Sequence, residues 1–163
     1  MEKFELLGKV ENFWDKRNEP ATEADFHAFE TSNGIIIPNL IKSLYLVSNG
    51  GFPDFRYVKS GNHFHSMFFE WIPAVKKFEL FKGYVGDFGL DDEETLNFFN
   101  KDTNAVIWHR HGFEYFVLFW PNSEPNICDL GILDLAAPEG DPSRLVKFQV
   151  GSDPVGVFAR RLK

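Results

Sequence analysis

Apolar residues follow a helical period in the first third of this chain and a strand-like period after it. Between residues 2 and 17 the apolar positions recur at three- and four-residue spacing, with charged residues between them. This spacing predicts an amphipathic helix that ends at Asn18-Glu19-Pro20. Its apolar positions are Leu6, Leu7, Val10, Phe13 and Trp14.

A second helix is predicted from Thr22 to Asn33. Thr22 suits an N-cap, and Asp25 stands three residues later, as in a variant of the capping box. Phe26 and Phe29 fall on one face of this helix. Gly34 is expected to end it, because glycine adopts the left-handed conformation at low cost.

A third helix is predicted after Pro38, which suits the first turn of a helix. It is followed by Asn49-Gly50-Gly51, a stretch that can form a phosphate cradle, a hairpin turn or the end of a helix. No strand precedes it and no helix follows it, so the cradle lacks its usual context. We therefore expect Asn49 and Gly50 to end the helix and Gly51 to turn the chain into a sheet. The predicted inner face of the helix is Ile41, Leu44, Tyr45 and Ser48.

The rest of the chain is typical of strands joined by short turns. Short strands are predicted at 55–58 and 67–72, on either side of Ser60-Gly61-Asn62, with one or two helical turns at 74–81. Residues 105–110 and 113–120 predict a hairpin around His111-Gly112. Its second arm is almost continuously apolar, which indicates a central strand covered on both faces. Two more strands are expected at 127–135 and 145–150.

Two further helices are expected around this sheet. Asp91 starts a short helix that runs to about Phe99, and Ser152 or Asp153 caps a last helix through Phe158 and Leu162. The order of elements predicts an α+β fold, with a mostly antiparallel sheet packed against N-terminal helices and a C-terminal helix. At 163 residues, the chain 1–163 is expected to form a single domain.

Charge is unevenly distributed and bears on the kind of partner. Residues 86–143 hold 2 basic and 12 acidic residues, a net charge of −10, whereas residues 144–163 hold 5 basic and 1 acidic, a net charge of +4. The acidic middle argues against nucleic-acid binding and favours a protein partner with a basic surface. Acidity that serves only solubility is the alternative.

The compartment is predicted from simple absences in the sequence. Met1-Glu2-Lys3 does not begin a secretory signal, and the longest apolar runs, such as 116–120, are too short to cross a bilayer. The single cysteine, Cys128, has no partner for an internal disulfide and fits a reducing compartment. We expect a cytoplasmic protein with no membrane contact.

The ordered signals between residues 22 and 51 resemble the opening motif of the SUKH superfamily. This superfamily groups the Smi/Knr-type cell-wall regulators of fungi with bacterial toxin-immunity proteins. Its motif has an aromatic–acidic pair near a helix end, a glycine, a hydrophobe–proline pair, a second helix and Asn-Gly-Gly. The matching residues here are Phe29-Glu30, Gly34, Ile37-Pro38, Leu44-Tyr45 and Asn49-Gly50-Gly51.

Later segments match only in layout, with 67–71 as an early strand, 106–120 as middle strands and 157–159 as a closing helix. The chain departs from the pattern in its tail, where glycine and proline interrupt that helix. The resemblance implies a domain without catalytic residues or cofactors. It implies a binding partner, either a cognate toxin domain, often a nuclease, or a cellular protein under its regulation.

Residues that could carry chemistry give weaker indications. His63 and His65 form one His-x-His pair and His109 and His111 another; on a strand, each pair shares a face and suits a metal. A metal-dependent enzyme is therefore an alternative, although no metal-binding motif supports it and we predict no metal site. Cys128 lies in an apolar strand beside Asp129, which favours an inert thiol.

The predicted partner-binding surface combines carboxylates with aromatic anchors. A run of acidic residues suits the docking of a basic surface, and large rings supply the apolar centre of an interface. Its alternative is a solvated helix start with Asp91 as the cap. Aromatic residues between 64 and 71 suit a homodimer equally well. The predicted contact residues are Phe64, Tyr84, Asp87, Phe88, Asp91, Asp92, Glu93 and Glu94.

Overall fold

The computed structural model describes residues 3–67, 70–81, 103–121, 123–138, 141, 144–151 and 156–161. Within these residues the chain forms two α-helices and eleven strands in three sheets, and every strand pairing is antiparallel. The predicted α+β class and its antiparallel sheet are confirmed.

Helix α1, Glu23–Asn33, begins and ends where its caps predict. The Thr22 hydroxyl accepts a hydrogen bond from the Asp25 N–H at 3.2 Å, and the Asp25 carboxylate accepts one from the Thr22 N–H at 2.7 Å. At the other end Gly34 has a φ of 66°, and its N–H donates to the Glu30 carbonyl. The capping box and the glycine stop are both confirmed.

Helix α2, Asn39–Tyr45, follows Pro38, which caps it rather than forming its first turn. The predicted face is buried, because Ile41, Leu44, Tyr45 and Ser48 are all inaccessible to solvent; Leu40 beside it is buried as well. The indole N–H of Trp14 donates to the Leu44 carbonyl at 3.0 Å and so ties the helix to the N-terminal segment.

A four-stranded sheet joins the two ends of the chain. In spatial order its strands are β1 (Phe4–Leu6), β11 (Phe158–Arg161), β4 (Tyr57–Ser60) and β5 (His63–Ser66). Gly61 lies in the turn between β4 and β5 and has a φ of 59°, which confirms the predicted turn.

A five-stranded sheet contains the long hairpin. In spatial order its strands are β10 (Leu145–Gly151), β9 (Cys128–Asp134), β8 (Glu114–Pro121), β7 (Thr103–His111) and β6 (Glu79–Leu80). The hairpin turns at Gly112, where φ is 60°, and its second arm lies inside the sheet with four consecutive buried residues. The predicted hairpin and central strand are confirmed, as are the two strands after them.

A third, two-stranded sheet pairs β2 (Trp14–Arg17) with β3 (Gly51–Pro53). Short 3₁₀ turns lie at Val10–Asn12 and Val75–Lys77. The second turn lies in the stretch 74–81, where one or two helical turns are predicted. The later part of that stretch forms β6 instead.

Aromatic rings form the centre of the core and connect the sheets. The Phe13 ring lies 5.1 Å from Phe55 and 5.8 Å from Trp108, measured between centroids, and Phe55 lies 4.4 Å from Phe158. These residues come from the N-terminal segment, from the four-stranded sheet and its approach, and from β7. One continuous apolar cluster therefore includes both helices and both large sheets.

The helix predicted over residues 2–17 is wrong. This segment contains β1, a 3₁₀ turn and β2. Its apolar spacing is helical, but Phe4 pairs with Arg161 at the opposite end of the chain. Strand pairing with a distant segment overrides a local periodic pattern, because it satisfies the backbone and buries Leu7, Phe13 and Trp14 together.

The predicted C-terminal helix is also wrong, including the closing helix that the resemblance implies at 157–159. Phe158 to Arg161 form β11, which lies between β1 and β4. Pro154 and Gly156 disfavour a helix in this tail, and Phe158 is needed to fill the core.

The strand predicted at 67–72 is misplaced. The partner of β4 is β5, which starts directly after the Gly61 turn, whereas Met67 is buried beyond its end and Ile72 makes an isolated bridge to Gly51. Among the described residues, β5 is the last strand of its sheet and Phe64 is its one apolar position, so its sequence resembles a loop. The helix predicted from Asp91 to about Phe99 lies outside the described residues.

Candidate functional site

A cleft of about 520 Å³ lies beside β7, where the segment 70–73 passes the strand. Its lining includes the β7 residues from Ile107 to Arg110, together with Tyr115 of β8. Lys77 and Glu79 border it as well. Both signs of charge meet here, so the cleft does not select a partner by net charge alone.

Trp71 lies in the lining of this cleft with 54% of its surface exposed. Its ring meets Phe52 edge-on at 6.0 Å. Phe52 in turn lies under the guanidinium of Arg56, at 5.2 Å, and near the Lys16 ammonium, at 5.9 Å. Trp71 is thus a large apolar side chain held in place on one side and open to solvent on the other.

Arg110 and Tyr115 face each other across the hairpin and form a second feature of the cleft. They are paired in register, and the Arg110 guanidinium lies 5.1 Å from the centre of the buried Tyr115 ring. The ring orients an exposed cation through a cation–π contact. The guanidinium retains donor groups suited to a carboxylate or a carbonyl.

His109 is buried at the base of the cleft, with 7% of its surface exposed. Its Nε2 atom accepts a hydrogen bond from the Glu70 N–H at 3.3 Å. Burial lowers the pKa of His109 from its usual value; the Glu70 charge opposes this shift and His111 adds to it. A neutral imidazole therefore connects β7 to the segment that carries Trp71.

A buried hydroxyl supports the cleft from below. The Trp108 indole N–H donates to the Tyr45 hydroxyl at 3.1 Å, and this hydroxyl donates to the Pro73 carbonyl at 2.8 Å. Burial raises the pKa of Tyr45 well above its usual value, although the Trp108 bond opposes the shift. Helix α2 is in this way linked to both sides of the cleft.

The Asn49-Gly50-Gly51 stretch holds the same segment. Gly51 exchanges two backbone hydrogen bonds with Ile72, at 3.0 and 2.8 Å, and the Asn49 side chain accepts the Val75 N–H at 2.9 Å. Gly50 has a φ of 77°, and a Cβ there would lie 2.5 Å from the Ile72 carbonyl oxygen. The glycines are therefore required by close packing as well as by conformation.

The predicted role of this stretch needs one correction. Helix α2 ends at Tyr45, so Asn49 and Gly50 do not end it. Instead, the Asn49 side chain accepts the Val75 N–H, and Gly50 packs closely against the Ile72 carbonyl. The other half of the prediction is confirmed, because Gly51 has a φ of 135° and begins β3.

Among the predicted contact residues, the one that the structure describes does not line the cleft. Phe64 lies on β5, where it stacks on Phe4. The remaining predicted residues lie outside the described part of the chain: Tyr84, Asp87, Phe88, Asp91, Asp92, Glu93 and Glu94. The sequence did not predict that Trp71, Arg110 and Tyr115 line one cleft. The aromatic run at 64–71 was the one feature in the sequence that drew attention to this region.

The two histidine pairs lie on different sheets. His63 and His65 are exposed on β5, whereas His109 is buried and His111 is exposed at the end of β7. Within the residues that the structure describes, no three His, Cys, Asp or Glu side chains are grouped to hold a metal ion. Cys128 is buried, and both burial and the Asp129 charge raise the pKa of its thiol.

No protein-family model matches this chain, and no curated protein matches it. The resemblance to the SUKH superfamily consequently rests on the motif between residues 22 and 51. Across the described ranges, none of the helices has the length and apolar character needed to span a membrane.

Proposed function

We propose that this protein is a non-catalytic binding domain that takes a partner protein into the cleft at Trp71. The observation that carries the proposal is the half-exposed Trp71 ring beside Arg110 and Tyr115. Tryptophan, tyrosine and arginine dominate the binding energy of protein interfaces, particularly when they line a pocket. A preformed cleft with these three residue types suits an interface that needs little rearrangement.

The resemblance to the SUKH superfamily supports a more specific role as an immunity protein. In this role the domain binds a cognate bacterial toxin, such as a nuclease, in the cytoplasm and blocks its active site or substrate groove. The net charge of −7 supports a toxin with a basic surface.

A regulatory or scaffolding module with a cellular partner is the second candidate. It uses the same cleft and differs only in the identity of the partner. The histidine pairs give less support to a metal-dependent enzyme, since the described residues form no group of three His, Cys, Asp or Glu side chains that could hold a metal ion.

The proposal is tested by co-purification with the product of the neighbouring gene, followed by measurement of the dissociation constant. Trp71→Ala is expected to weaken the complex at least about tenfold. The matched control is Ile36→Ala, because Ile36 is 57% exposed and does not line the cleft. Equal affinities for the two variants would exclude the cleft as the binding site.

The acidic run outside the described residues is tested separately. Simultaneous reversal to lysine of Asp91, Asp92, Glu93 and Glu94 is expected to weaken binding of a basic toxin and to reduce its salt dependence. Unchanged affinity would mean that these carboxylates form only a solvated helix start. A neighbouring gene that encodes no toxin-like protein shifts the proposal to the regulatory role.

A further inference from the structure

The four-stranded sheet carries a cluster of aromatic rings on the face turned away from the core. Phe4 stacks on Phe64, with centroids 4.3 Å apart, and meets Tyr57 edge-on at 4.8 Å. All three are only partly buried. On the opposite face, Val58 and Phe158 are fully buried in the core.

The charged side chains that the structure describes on this outer face are positive. The Arg161 guanidinium lies 5.6 Å from the centre of the Tyr57 ring. Lys59 alternates onto the same face as Tyr57 and is paired with Phe64 in register. We call Phe4, Tyr57, Lys59, Phe64 and Arg161 the aromatic–cationic face. It shares no residue with the cleft at Trp71.

Strand β5 lies at the border of this face and offers backbone groups to a partner. The Lys59 N–H points toward β11 and donates to the carbonyl of Val157, the residue before that strand, at 2.7 Å. Backbone groups alternate along a strand, so the N–H and C=O groups of Val58 and Ser60 point toward β5. Their partners are His65 and His63. By alternation, Phe64 and Ser66 direct their N–H and C=O groups away from β4. Within the described residues, no strand pairs with that side of β5.

We propose that an extended acidic segment of a partner protein adds as a strand beside β5 and covers the aromatic–cationic face. A strand added to a sheet edge gains main-chain hydrogen bonds, and its alternate side chains give specificity. Apolar side chains of the segment pack on the Phe64 and Phe4 rings. Carboxylates meet the Lys59 ammonium, while Arg161 strengthens the positive potential.

The geometry favours an acidic peptide over the two other occupants of such a face. Single-stranded nucleic acid needs rings open to bases, but Phe4 and Phe64 stack on each other and Arg161 covers Tyr57. A second copy of this chain would bring two faces of like charge side by side. An acidic segment offers carboxylates to the cationic side chains and hydrogen-bond partners to the outward backbone groups of β5.

The probe for the test is a fluorescein-labelled peptide of eight alternating valine and glutamate residues, measured by fluorescence anisotropy at low and high salt. Binding that weakens with salt is expected. Lys59→Glu combined with Arg161→Glu should reduce affinity at least about tenfold. Lys76→Glu should not, because Lys76 is exposed on the 3₁₀ turn Val75–Lys77, which is not part of the four-stranded sheet.

Strand addition itself is tested by Ser66→Pro and by hydrogen exchange. The Ser66 N–H points outward, so proline removes a donor to the peptide and none to β4. This variant should keep its unfolding midpoint and lose the peptide. In the unsubstituted protein, the peptide should slow exchange of the Phe64 and Ser66 amides.

Four outcomes would overturn the proposal. These are no binding of the acidic peptide at millimolar concentration, equal binding of an alternating valine–lysine peptide, tighter binding of an oligothymidylate, and self-association that Ser66→Pro abolishes. The last two assign the face to nucleic acid and to a second copy, respectively. None of them depends on whether Trp71→Ala affects the partner in the cleft.

Discussion

The side-chain carbonyl of Asn49 accepts a hydrogen bond from the backbone N–H of Val75, with 2.9 Å between the two atoms. This bond and the Gly51–Ile72 bridge hold the segment that carries Trp71. The conformation of Asn49-Gly50-Gly51 therefore determines the position of one side of the cleft, although none of the three residues lines it. The motif that carries the family resemblance in the sequence thus positions the Trp71 segment in the structure.

Gly50→Ala is expected to destabilise the protein more than Gly34→Ala. Both glycines have positive φ, so each substitution costs about 1 to 2 kcal/mol in backbone strain. At Gly50 the new Cβ would also collide with the Ile72 carbonyl, whereas at Gly34 it would meet no atom within 4 Å. Urea denaturation measures the difference, and equal losses would show that the segment 72–74 moves aside freely.

Tyr45→Phe should destabilise the fold by about 2 to 4 kcal/mol, because it leaves the Trp108 N–H and the Pro73 carbonyl without their hydrogen bonds. Tyr57→Phe is the matched control. Its ring is only partly buried, and the change should stay within about 0.5 kcal/mol. Urea denaturation of both variants gives the comparison, and a Tyr45→Phe loss as small as the control would mean that water replaces the hydroxyl.

Local signals in the sequence predicted the elements that depend on neighbouring residues. The Thr22–Asp25 capping box, the Gly34 stop and the Gly112 turn lie within a few residues of the structure they determine. The failures lie at the chain ends, where Phe4 pairs with Arg161. No window of nearby residues contains that pairing, so the helical spacing at 2–17 misled the prediction.

The candidate site was harder to predict for the same reason. Trp71 comes from an irregular segment, and Arg110 and Tyr115 come from two strands of a hairpin. That segment is held against β7 by hydrogen bonds that involve Asn49, the Tyr45 hydroxyl and His109, all of them distant from it in sequence. Phe64, which was predicted as a partner contact, is a partly buried ring on β5, and its role as a contact stays a prediction.

Cys128 should react with iodoacetamide far more slowly in the native protein than in denaturant. The thiol is buried and its pKa is raised, so the thiolate that attacks the reagent is scarce near neutral pH. Mass spectrometry of timed samples follows the modification. Rapid labelling of the native protein would indicate that β9 opens readily to solvent.

His109 predicts how the stability of the protein depends on pH. Histidine has a pKa of about 6.5 when unperturbed, and burial lowers the pKa of His109 in the folded state. As pH falls through this range, the unfolded chain binds a proton before the folded chain does. The free energy of unfolding is thus fully retained above pH 6.5 and decreases as pH falls toward the folded pKa. Protonation also removes the acceptor for the Glu70 N–H.

Denaturation in urea between pH 7.5 and pH 5 should show this decrease, and His109→Gln should flatten it, because glutamine accepts the same hydrogen bond and does not titrate. His63→Gln is the control, since His63 is exposed on β5 and its replacement should leave the decrease unchanged. Binding of a partner to the cleft should weaken over the same range, as the segment that carries Trp71 loses its bond to β7. A decrease that persists in His109→Gln would assign the pH dependence to other groups.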